Sequence, residues 1–206
     1  MAERRILRFA CRCCALRGEI IDVSRAAYTH VVCHCADCRS AYTHLGLADP
    51  GKVRIIQTTQ DRIRITQGGE YLSVFRHTPR GALRWYANCC ETPLFYTPLK
   101  ARLVHVGLNA DRIDDPSAIG KVEAEGYVPG RDGKPRHKGA ARMVGRMITR
   151  IAAKNLSGEW RATPFFDADG KPIHDPQVLS REERAAALMG VGGRGPTSAR
   201  SGPARL

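Results

Sequence analysis

The sequence predicts a mainly β fold that is stabilised by bound metal and extended by a C-terminal amphipathic helix. Short stretches rich in β-branched residues alternate with turn signals up to about residue 110, which is typical of an antiparallel sheet. All eight cysteines fall in three short clusters within that same part of the chain. Beyond residue 138 the apolar residues take up the period of a helix. These three observations define the expected architecture.

The strand candidates follow one another through the first half of the chain and are separated by glycine, proline and polar residues. Gly68 and Gly69 indicate a hairpin, and Pro79 with Gly81 indicates a further turn. Residues 111–135 are interrupted repeatedly by glycine and proline, so they are predicted to be mostly loop. The expected strands are residues 6–9, 19–23, 28–32, 53–58, 63–65, 71–75, 83–86, 94–96 and 103–108.

A basic amphipathic helix is predicted over residues 139–155. One face carries an apolar stripe and the other carries a cation at every fourth position: the stripe is Val144, Met147, Ile148 and Ile151, and the cations are Arg142, Arg146, Arg150 and Lys154. We expect the stripe to pack on the β domain and the cations to face solvent; contact with an anionic partner is the alternative. Ser180 and Glu183 form a capping box that predicts a last short helix.

The formal net charge of +13 lies mostly outside the cysteine-bearing part. Residues 131–154 contain eight Lys or Arg against Asp132 alone, and residues 191–206 contain three Arg and no acid. The predicted division is therefore a zinc-binding β domain at residues 1–110, a loop and helical extension packing on it at 111–190, and a disordered basic tail at 191–206.

The cysteine pattern is typical of metal ligands rather than of a disulfide framework. CxC, CxxC and CC groups without a secretory leader indicate a reducing compartment. No stretch approaches the roughly 18 apolar residues that a membrane helix needs. We therefore expect a cytoplasmic protein with no membrane span.

Cys33, Cys35 and Cys38 place three sulfurs within reach of a single ion. Thiolates grouped in this way select Zn²⁺, or less often iron. Three thiolates leave a fourth tetrahedral position. If it is open, a bound thiol ionises there and a bound carbonyl is polarised; if it is closed, the site is structural. The candidates to close it are His34, His44, Cys14 and Cys89.

Three cysteine motifs occur in a fixed order over roughly residues 5–108: Cys11-Arg12-Cys13, then Cys33-His34-Cys35-Ala36-Asp37-Cys38-Arg39, then Cys90-Glu91-Thr92-Pro93-Leu94. Together they resemble the glutathione-dependent formaldehyde-activating enzyme and centromere protein V family. Further segments resemble an uncharacterised branch of that family: His44-Leu45-Gly46, Arg84-Trp85-Tyr86-Ala87 and Pro164-Phe165-Phe166-Asp167.

The resemblance implies an Mss4-like zinc-bound β fold with two zinc ions per chain. It implies that Cys33, Cys35 and Cys38 hold a reactive, catalytic zinc, and that a structural zinc is held by Cys11, Cys13 and the downstream cysteines. It also implies carbon–sulfur lyase chemistry, in which a thiol such as glutathione adds to an aldehyde such as formaldehyde.

The downstream motif departs from the CxxCGT of the resembled family. Ala87 stands at the position of the first cysteine and Glu91 at that of the glycine. Cys89 would supply the missing ligand if it and Cys90 lie in a turn, since neighbours on an extended strand face opposite ways. Otherwise the pair is divided between the two metals, or Cys14 is the substitute. The first alternative gives a site of Cys11, Cys13, Cys89 and Cys90.

Two functions fit these features. One is a zinc-dependent carbon–sulfur lyase-type enzyme acting on an adduct of a small thiol and an aldehyde. The other is a non-catalytic zinc-structured module that uses its basic helix and tail on an anionic partner, although nucleic acid is not the expected one. The oligomeric state is left open.

The remaining polar residues near the motifs are expected to be structural. Arg39, Arg76 and Arg84 are interpreted as strand or surface arginines, because exposure is the norm for arginine. Asp37 is expected to accept local backbone hydrogen bonds in its turn. The histidines outside the motifs, which include His77 and His105, are interpreted in the same way.

Overall fold

The computed structural model describes residues 5–24 and 26–192, so the tail predicted for residues 191–206 lies outside the described residues from residue 193 onward. The prediction of a mainly β fold is confirmed. Within these ranges the chain forms twelve strands in two sheets, together with three α-helices.

The smaller sheet has three antiparallel strands: β1 (Leu7–Ala10), β2 (Arg17–Ile20) and β5 (Ile63–Gln67), in the order β1-β2-β5. The sheet is closely packed at Gly18. A side chain there would meet the Phe9 ring at 2.3 Å and the Arg64 carbonyl oxygen at 2.3 Å. Gly18 thus allows Phe9 to lie across β2.

The larger sheet has nine strands: β3 (Thr29–Cys33), β4 (Val53–Thr59), β6 (Leu72–Arg76), β7 (Leu83–Ala87), β8 (Thr92–Thr97), β9 (His105–Asn109), β10 (Ala124–Pro129), β11 (Pro135–Lys138) and β12 (Gln177–Val178). Their order is β11-β10-β3-β4-β9-β8-β7-β6-β12. The β10–β3 and β12–β6 pairs are parallel, and the other pairs are antiparallel.

The β10–β11 hairpin was not expected, because residues 111–135 were predicted to be mostly loop. β10 forms by pairing in parallel with β3, with Gly126 opposite Cys33. Its register with β11 shifts between Glu125 and Val128. A strand that contains Gly126 and ends at Pro129 has low intrinsic β-propensity, so it depends on its long-range partner.

The main core joins the two sheets to a later loop. The Phe9 ring from β1 meets the Phe95 ring from β8 at 5.2 Å between centroids. Phe165 packs on Phe95 at 5.1 Å and on Trp85 at 5.2 Å. Phe166 is buried in the same core. Loop residues that follow the second helix therefore complete the core of the β domain.

Helix α2 (Ala140–Leu156) forms where it was predicted, but it docks through its cations. Arg150 donates to the carbonyl oxygens of Ala27 and Gln57, each at 3.0 Å, and to Thr29 Oγ1 at 2.8 Å. Its side chain thereby binds the strands that α2 covers. A guanidinium can do this because its donors form a rigid fork that satisfies several carbonyl oxygens at once.

Two neighbouring cations act in the same way. Arg146 donates to the Tyr28 carbonyl oxygen at 2.7 Å and pairs with Glu123. Lys154 contacts Asp61 at 2.7 Å. Meanwhile part of the apolar stripe faces solvent, with Ile148 58% exposed. The expectation that the stripe would dock and the cations would be solvated is therefore wrong for Arg146, Arg150 and Lys154.

Helices α1 (Ala36–His44) and α3 (Arg181–Met189) pack on each other. We call residues 177–192, which include β12 and α3, the C-terminal strap. Thr43 Oγ1 donates to the Ala187 carbonyl oxygen at 2.6 Å, and the Gly192 N–H donates to Asp49 Oδ2 at 2.6 Å. The predicted capping box at Ser180 is confirmed. The strap thus holds α1 against the sheet.

Candidate metal centres and an adjoining cavity

Four cysteines from two distant turns form one cluster, with all four sulfurs within 4.8 Å of one another: Cys11, Cys13, Cys89 and Cys90. Cys13 Sγ lies 3.5 Å from Cys11 Sγ and 3.4 Å from Cys89 Sγ. Cys11 is buried and its sulfur accepts a hydrogen bond from the Leu16 N–H at 3.3 Å. We call this group the four-thiol cluster. It could hold a metal ion.

The turn between β7 and β8 explains how adjacent cysteines share this cluster. Cys89 and Cys90 lie after Ala87, the last residue of β7, so the alternation of strand side chains no longer applies to them. Glu91 has φ +52°, a left-handed conformation that glycine adopts without strain. Of the three alternatives for the pair, the structure supports the turn; Cys14 is exposed and lies outside the cluster.

Cys33, Cys35 and Cys38 form a second group, the three-thiol cluster, whose sulfurs also lie within 4.8 Å of one another. Cys33 ends β3, and Cys35 caps the N-terminus of α1 by accepting the Cys38 N–H at 3.3 Å. The Sγ atoms of Cys33 and Cys35 are 3.2 Å apart. A strand end and the first helical turn thus place the three sulfurs together. This cluster could hold a second ion.

None of the four candidates to close this cluster joins it. His34 Nε2 points to Glu125 Oε2 at 3.9 Å, and the His44 ring packs on Phe75 at 4.6 Å between centroids. Cys89 belongs to the other cluster and Cys14 to neither. Among residues 5–24 and 26–192, no fourth His, Cys, Asp or Glu lies within reach of the three sulfurs.

Arg84 and Asp37 form a partly buried network beside the three-thiol cluster, contrary to both expectations for them. Arg84 is 9% exposed, and its guanidinium contacts Cys38 Sγ at 3.7 Å and the Asp37 carboxylate. The other Asp37 oxygen lies 3.1 Å from His77 Nδ1. Arg184 of the strap approaches the same oxygen at 3.7 Å. Asp37 thus contacts side chains from three distant parts of the chain rather than only its own turn.

The charges of this network shift the pKa values of its members. Hydrogen bonds with the Cys33 and Cys35 thiols, together with the Arg84 charge, lower the pKa of Cys38 well below its usual range. Burial would raise the pKa of Asp37, but His77 and Arg84 outweigh it and lower that pKa. Cys38 is therefore the thiol in this cluster that loses its proton most readily.

A small cavity of about 40 Å³ opens beside Cys38. Its walls are mainly apolar, with Leu45, Ile55 and Phe75 among them, and its polar lining includes Arg84, Tyr42 and Tyr96. The sequence patterns did not single out either tyrosine. Tyr42 lies one helical turn after Cys38, at i+4, and that spacing is the signal that could have identified it.

The two tyrosines have different hydrogen-bond partners. Tyr42 Oη accepts from Asn109 Nδ2 at 2.8 Å, and burial together with the nearby Asp111 charge raises the pKa of Tyr42 to about 12. Tyr96 Oη accepts from Gln57 Nε2 at 3.1 Å and lies 3.2 Å from His105 Nε2. Both hydroxyl groups therefore stay protonated at neutral pH, since burial also raises the pKa of Tyr96.

The model of one protein family, "Family of unknown function (DUF6151)", matches residues 3–175 of the chain. The chain belongs to this family. The DUF6151 match includes both cysteine clusters and ends before the C-terminal strap, which begins at residue 177. Arg184 is thus a contribution to the Asp37 network from outside the matched residues.

Among solved structures, the chain is similar to a protein of Rhodobacter sphaeroides at 19% identity and a TM-score of 0.40, with 56% of this chain and 96% of that one covered. No curated protein matches the chain. No helix among residues 5–24 and 26–192 is long and apolar enough to cross a membrane.

Proposed function

We propose that this DUF6151 protein is a zinc-dependent enzyme of the carbon–sulfur lyase type, acting on an adduct of a small thiol and an aldehyde. The observation that carries the proposal is a three-thiol cluster with no fourth ligand among the described residues, beside a cavity that Cys38 lines. The motif resemblance to the formaldehyde-activating enzyme and centromere protein V family, with its Mss4-like fold, supports the same reaction class.

The donor sets fit zinc. Four thiols within 4.8 Å of one another match a closed tetrahedral Cys₄ site, which we assign a structural role. Three thiols match the site that keeps one position for a substrate. In such a site zinc lowers the pKa of a bound thiol and polarises a carbonyl group. We assign this role to Cys33, Cys35 and Cys38.

The protein's own side chains would then control charge and protons at the cavity. The Arg84 guanidinium balances negative charge on the Cys38 sulfur, and Asp37 holds Arg84 in place. Since Tyr42 Oη accepts its hydrogen bond from Asn109, its own proton is available to an oxygen atom in the cavity. We therefore assign Tyr42 to donate a hydrogen bond to the carbonyl oxygen of the aldehyde, or to the hydroxyl oxygen of its thiol adduct.

The cavity limits the size of what reacts there. A volume of about 40 Å³ compares with roughly 10–15 Å³ for each enclosed water molecule, so it holds a group of about three heavy atoms. Its apolar walls favour an uncharged group. We infer a short aldehyde as the carbonyl partner, with the larger part of the thiol compound remaining outside the cavity.

The first test is the metal content of protein purified without chelator, followed by cobalt substitution and titration with glutathione and other small thiols. The proposal requires two metals per chain and a thiol-dependent change in the cobalt–sulfur charge-transfer absorption. Cys38→Ser should abolish that change, whereas Cys14→Ser should preserve it because Cys14 lies outside both clusters. Wild-type protein with two metals but no response to any thiol would instead indicate two structural sites in a binding module.

A further inference from the structure

Among the residues that the structure describes, exposed positive charge is dense on the β10–β11 hairpin and in the first turn of α2. Docking of α2 engages three of its cations. In contrast, residues 130–142 carry five cations against the single acid Asp132, and these five are Arg131, Lys134, Arg136, Lys138 and Arg142. All five are exposed, and no ion pair joins any of them to another of the described residues. We call residues 124–142 the basic hairpin region.

The acids of this region do not neutralise those charges. Glu123, just before the region, pairs with Arg146, and Glu125 faces His34. Asp132 accepts the Lys134 backbone N–H at 3.2 Å and so stabilises the hairpin turn. The exposed cations therefore produce a positive potential at this edge of the large sheet.

An aromatic pair lies among the cations. Tyr127 is 51% exposed and has φ +57°, a conformation that a bulky residue rarely adopts. Its ring meets the His137 ring at 4.9 Å between centroids and 76° between planes. The Tyr127 backbone N–H donates to His137 Nδ1 at 3.4 Å, which fixes the imidazole. A strained backbone that holds an aromatic ring in solvent is typical of a binding site rather than of a sheet edge alone.

A polar groove of about 810 Å³ adjoins the basic hairpin region at Arg142, which is the residue that belongs to both. It runs between residues 117–123 and the first turns of α2, and its walls include Arg5, Lys121 and Arg142. Arg142 lies in the first turn of α2, which begins two residues after β11 ends, so the cations of the hairpin and of the groove are neighbours along the chain. A chain with regularly spaced negative charges could follow this path.

We propose that the basic hairpin region and its groove bind single-stranded nucleic acid. The cations would contact successive phosphates, and Tyr127 with His137 would give the unpaired bases a stacking surface. Regularly spaced anions combined with exposed π-faces are particular to single strands, since the bases of a duplex are already stacked. The binding surface is separate from the cysteine clusters and does not depend on the proposed reaction.

The other explanation for the charges is protection of the sheet edge. β11 is an edge strand, and charged residues on such strands prevent pairing with other chains. That role requires neither an aromatic pair nor a groove. It predicts at most non-specific attraction that does not depend on the Tyr127 ring, so the binding of variants separates the two explanations.

The test is fluorescence anisotropy of a labelled oligouridine of about 20 nucleotides with the full chain at increasing salt. Tyr127→Asn should weaken binding about tenfold because the stacking ring is lost, while asparagine tolerates the positive φ. Tyr127→Phe should bind like the wild type. Arg136→Gln with Lys138→Gln should reduce the slope of log affinity against log salt by about 1.4, at roughly 0.7 per phosphate contact.

The matched control is Lys171→Gln with Arg181→Gln, which removes the same charge from exposed positions outside the hairpin; Arg181 follows β12 at the opposite edge of the sheet. This variant should keep the wild-type affinity and slope. Equal losses in both double variants would show non-specific attraction and overturn the proposal. So would absence of binding, or equal affinity for a duplex of the same length or for vesicles rich in phosphatidylserine.

Discussion

Arg84 connects the three-thiol cluster to the sheet through a single buried side chain. It lies on β7 between Leu83 and Trp85, which are both buried, so three consecutive residues of this strand are withdrawn from solvent. In a strand with one face in solvent, side chains alternate between buried and exposed, so Arg84 would be expected to be exposed. Because Cys38 and Asp37 both contact Arg84, its burial is compensated by charge.

Replacing Arg84 should therefore destabilise the protein. We expect Arg84→Met to lower the free energy of unfolding by about 2 kcal/mol, since charge-assisted hydrogen bonds are lost. Arg84→Lys should cost less, but it cannot reproduce the guanidinium fork. Urea denaturation measures both. Arg80→Met, at an exposed position, is the control and should stay within about 0.5 kcal/mol of the wild type. An equal effect of the two Met variants would contradict the role of the network.

His105 should make stability depend on pH. Burial and the Arg150 charge lower its pKa from 6.5 to about 4 in the folded chain. As the pH falls, His105 therefore takes up a proton in the unfolded chain before it does so in the folded chain. The free energy of unfolding is highest above pH 6.5 and decreases between pH 6.5 and about pH 4. The full loss is about 3 kcal/mol. His105→Gln should reduce the pH dependence of the unfolding free energy in this range. His174→Gln, at an exposed position, should leave that dependence unchanged.

At the scale of elements, α2 shows that a basic amphipathic helix can dock through its polar face. The carbonyl oxygens of Ala27, Tyr28 and Gln57 accept hydrogen bonds from Arg146 and Arg150. Burial of Arg150, together with the Arg146 charge, lowers its pKa to about 10, so it remains charged at neutral pH. The docking of α2 therefore depends on hydrogen bonds as well as on partly buried apolar side chains.

Removing one of these arginines should loosen the helix. Arg150→Met deletes four hydrogen bonds, three of them to carbonyl oxygens, and should cost about 2–3 kcal/mol. Ile148→Ser changes a side chain that is 58% exposed and should cost less than about 0.5 kcal/mol. Hydrogen exchange of the α2 amides compares the two. Faster exchange in the Ile148 variant than in the Arg150 variant would mean that the apolar stripe holds the helix after all.

Sequence patterns predicted the elements that are determined by residues close together in the chain. The strands before residue 110, the helix at 139–155 and the Ser180 capping box could be predicted because alternation, period and capping residues are written into a few neighbouring positions. The two cysteine clusters could be predicted because closely spaced cysteines without a disulfide framework are typical of metal ligands. The hairpin β10–β11, the docking face of α2 and the burial of Arg84 could not, because each depends on a partner far away in the chain.

At the scale of the whole molecule, the four-thiol cluster joins the two sheets. Cys13 lies in the turn between β1 and β2 of the small sheet, while Cys89 lies in the turn between β7 and β8 of the large one. The two residues are 76 positions apart in the chain. A metal ion bound here would act as a cross-link that closes a long loop, and such links reduce the conformational entropy of the unfolded chain.

Metal removal should therefore lower stability sharply. A covalent cross-link closing a loop of this length contributes about 4 kcal/mol, and we expect a loss of that order after chelation. Thermal unfolding with and without chelator measures it. Cys90→Ser should unfold at a lower temperature and lose most of the response to chelator, whereas Cys14→Ser should retain it. An unchanged melting temperature after complete metal removal would show that the two sheets are held together by packing alone.

The position of this cross-link has a consequence for the lifetime of the protein in a cell. A chain whose two sheets are joined by an ion exposes unfolded segments to proteases when the ion is scarce. Its abundance would then follow the supply of the ion, without a dedicated regulator. Synthesis and degradation alone would then adjust the number of folded molecules to the concentration of available metal ion.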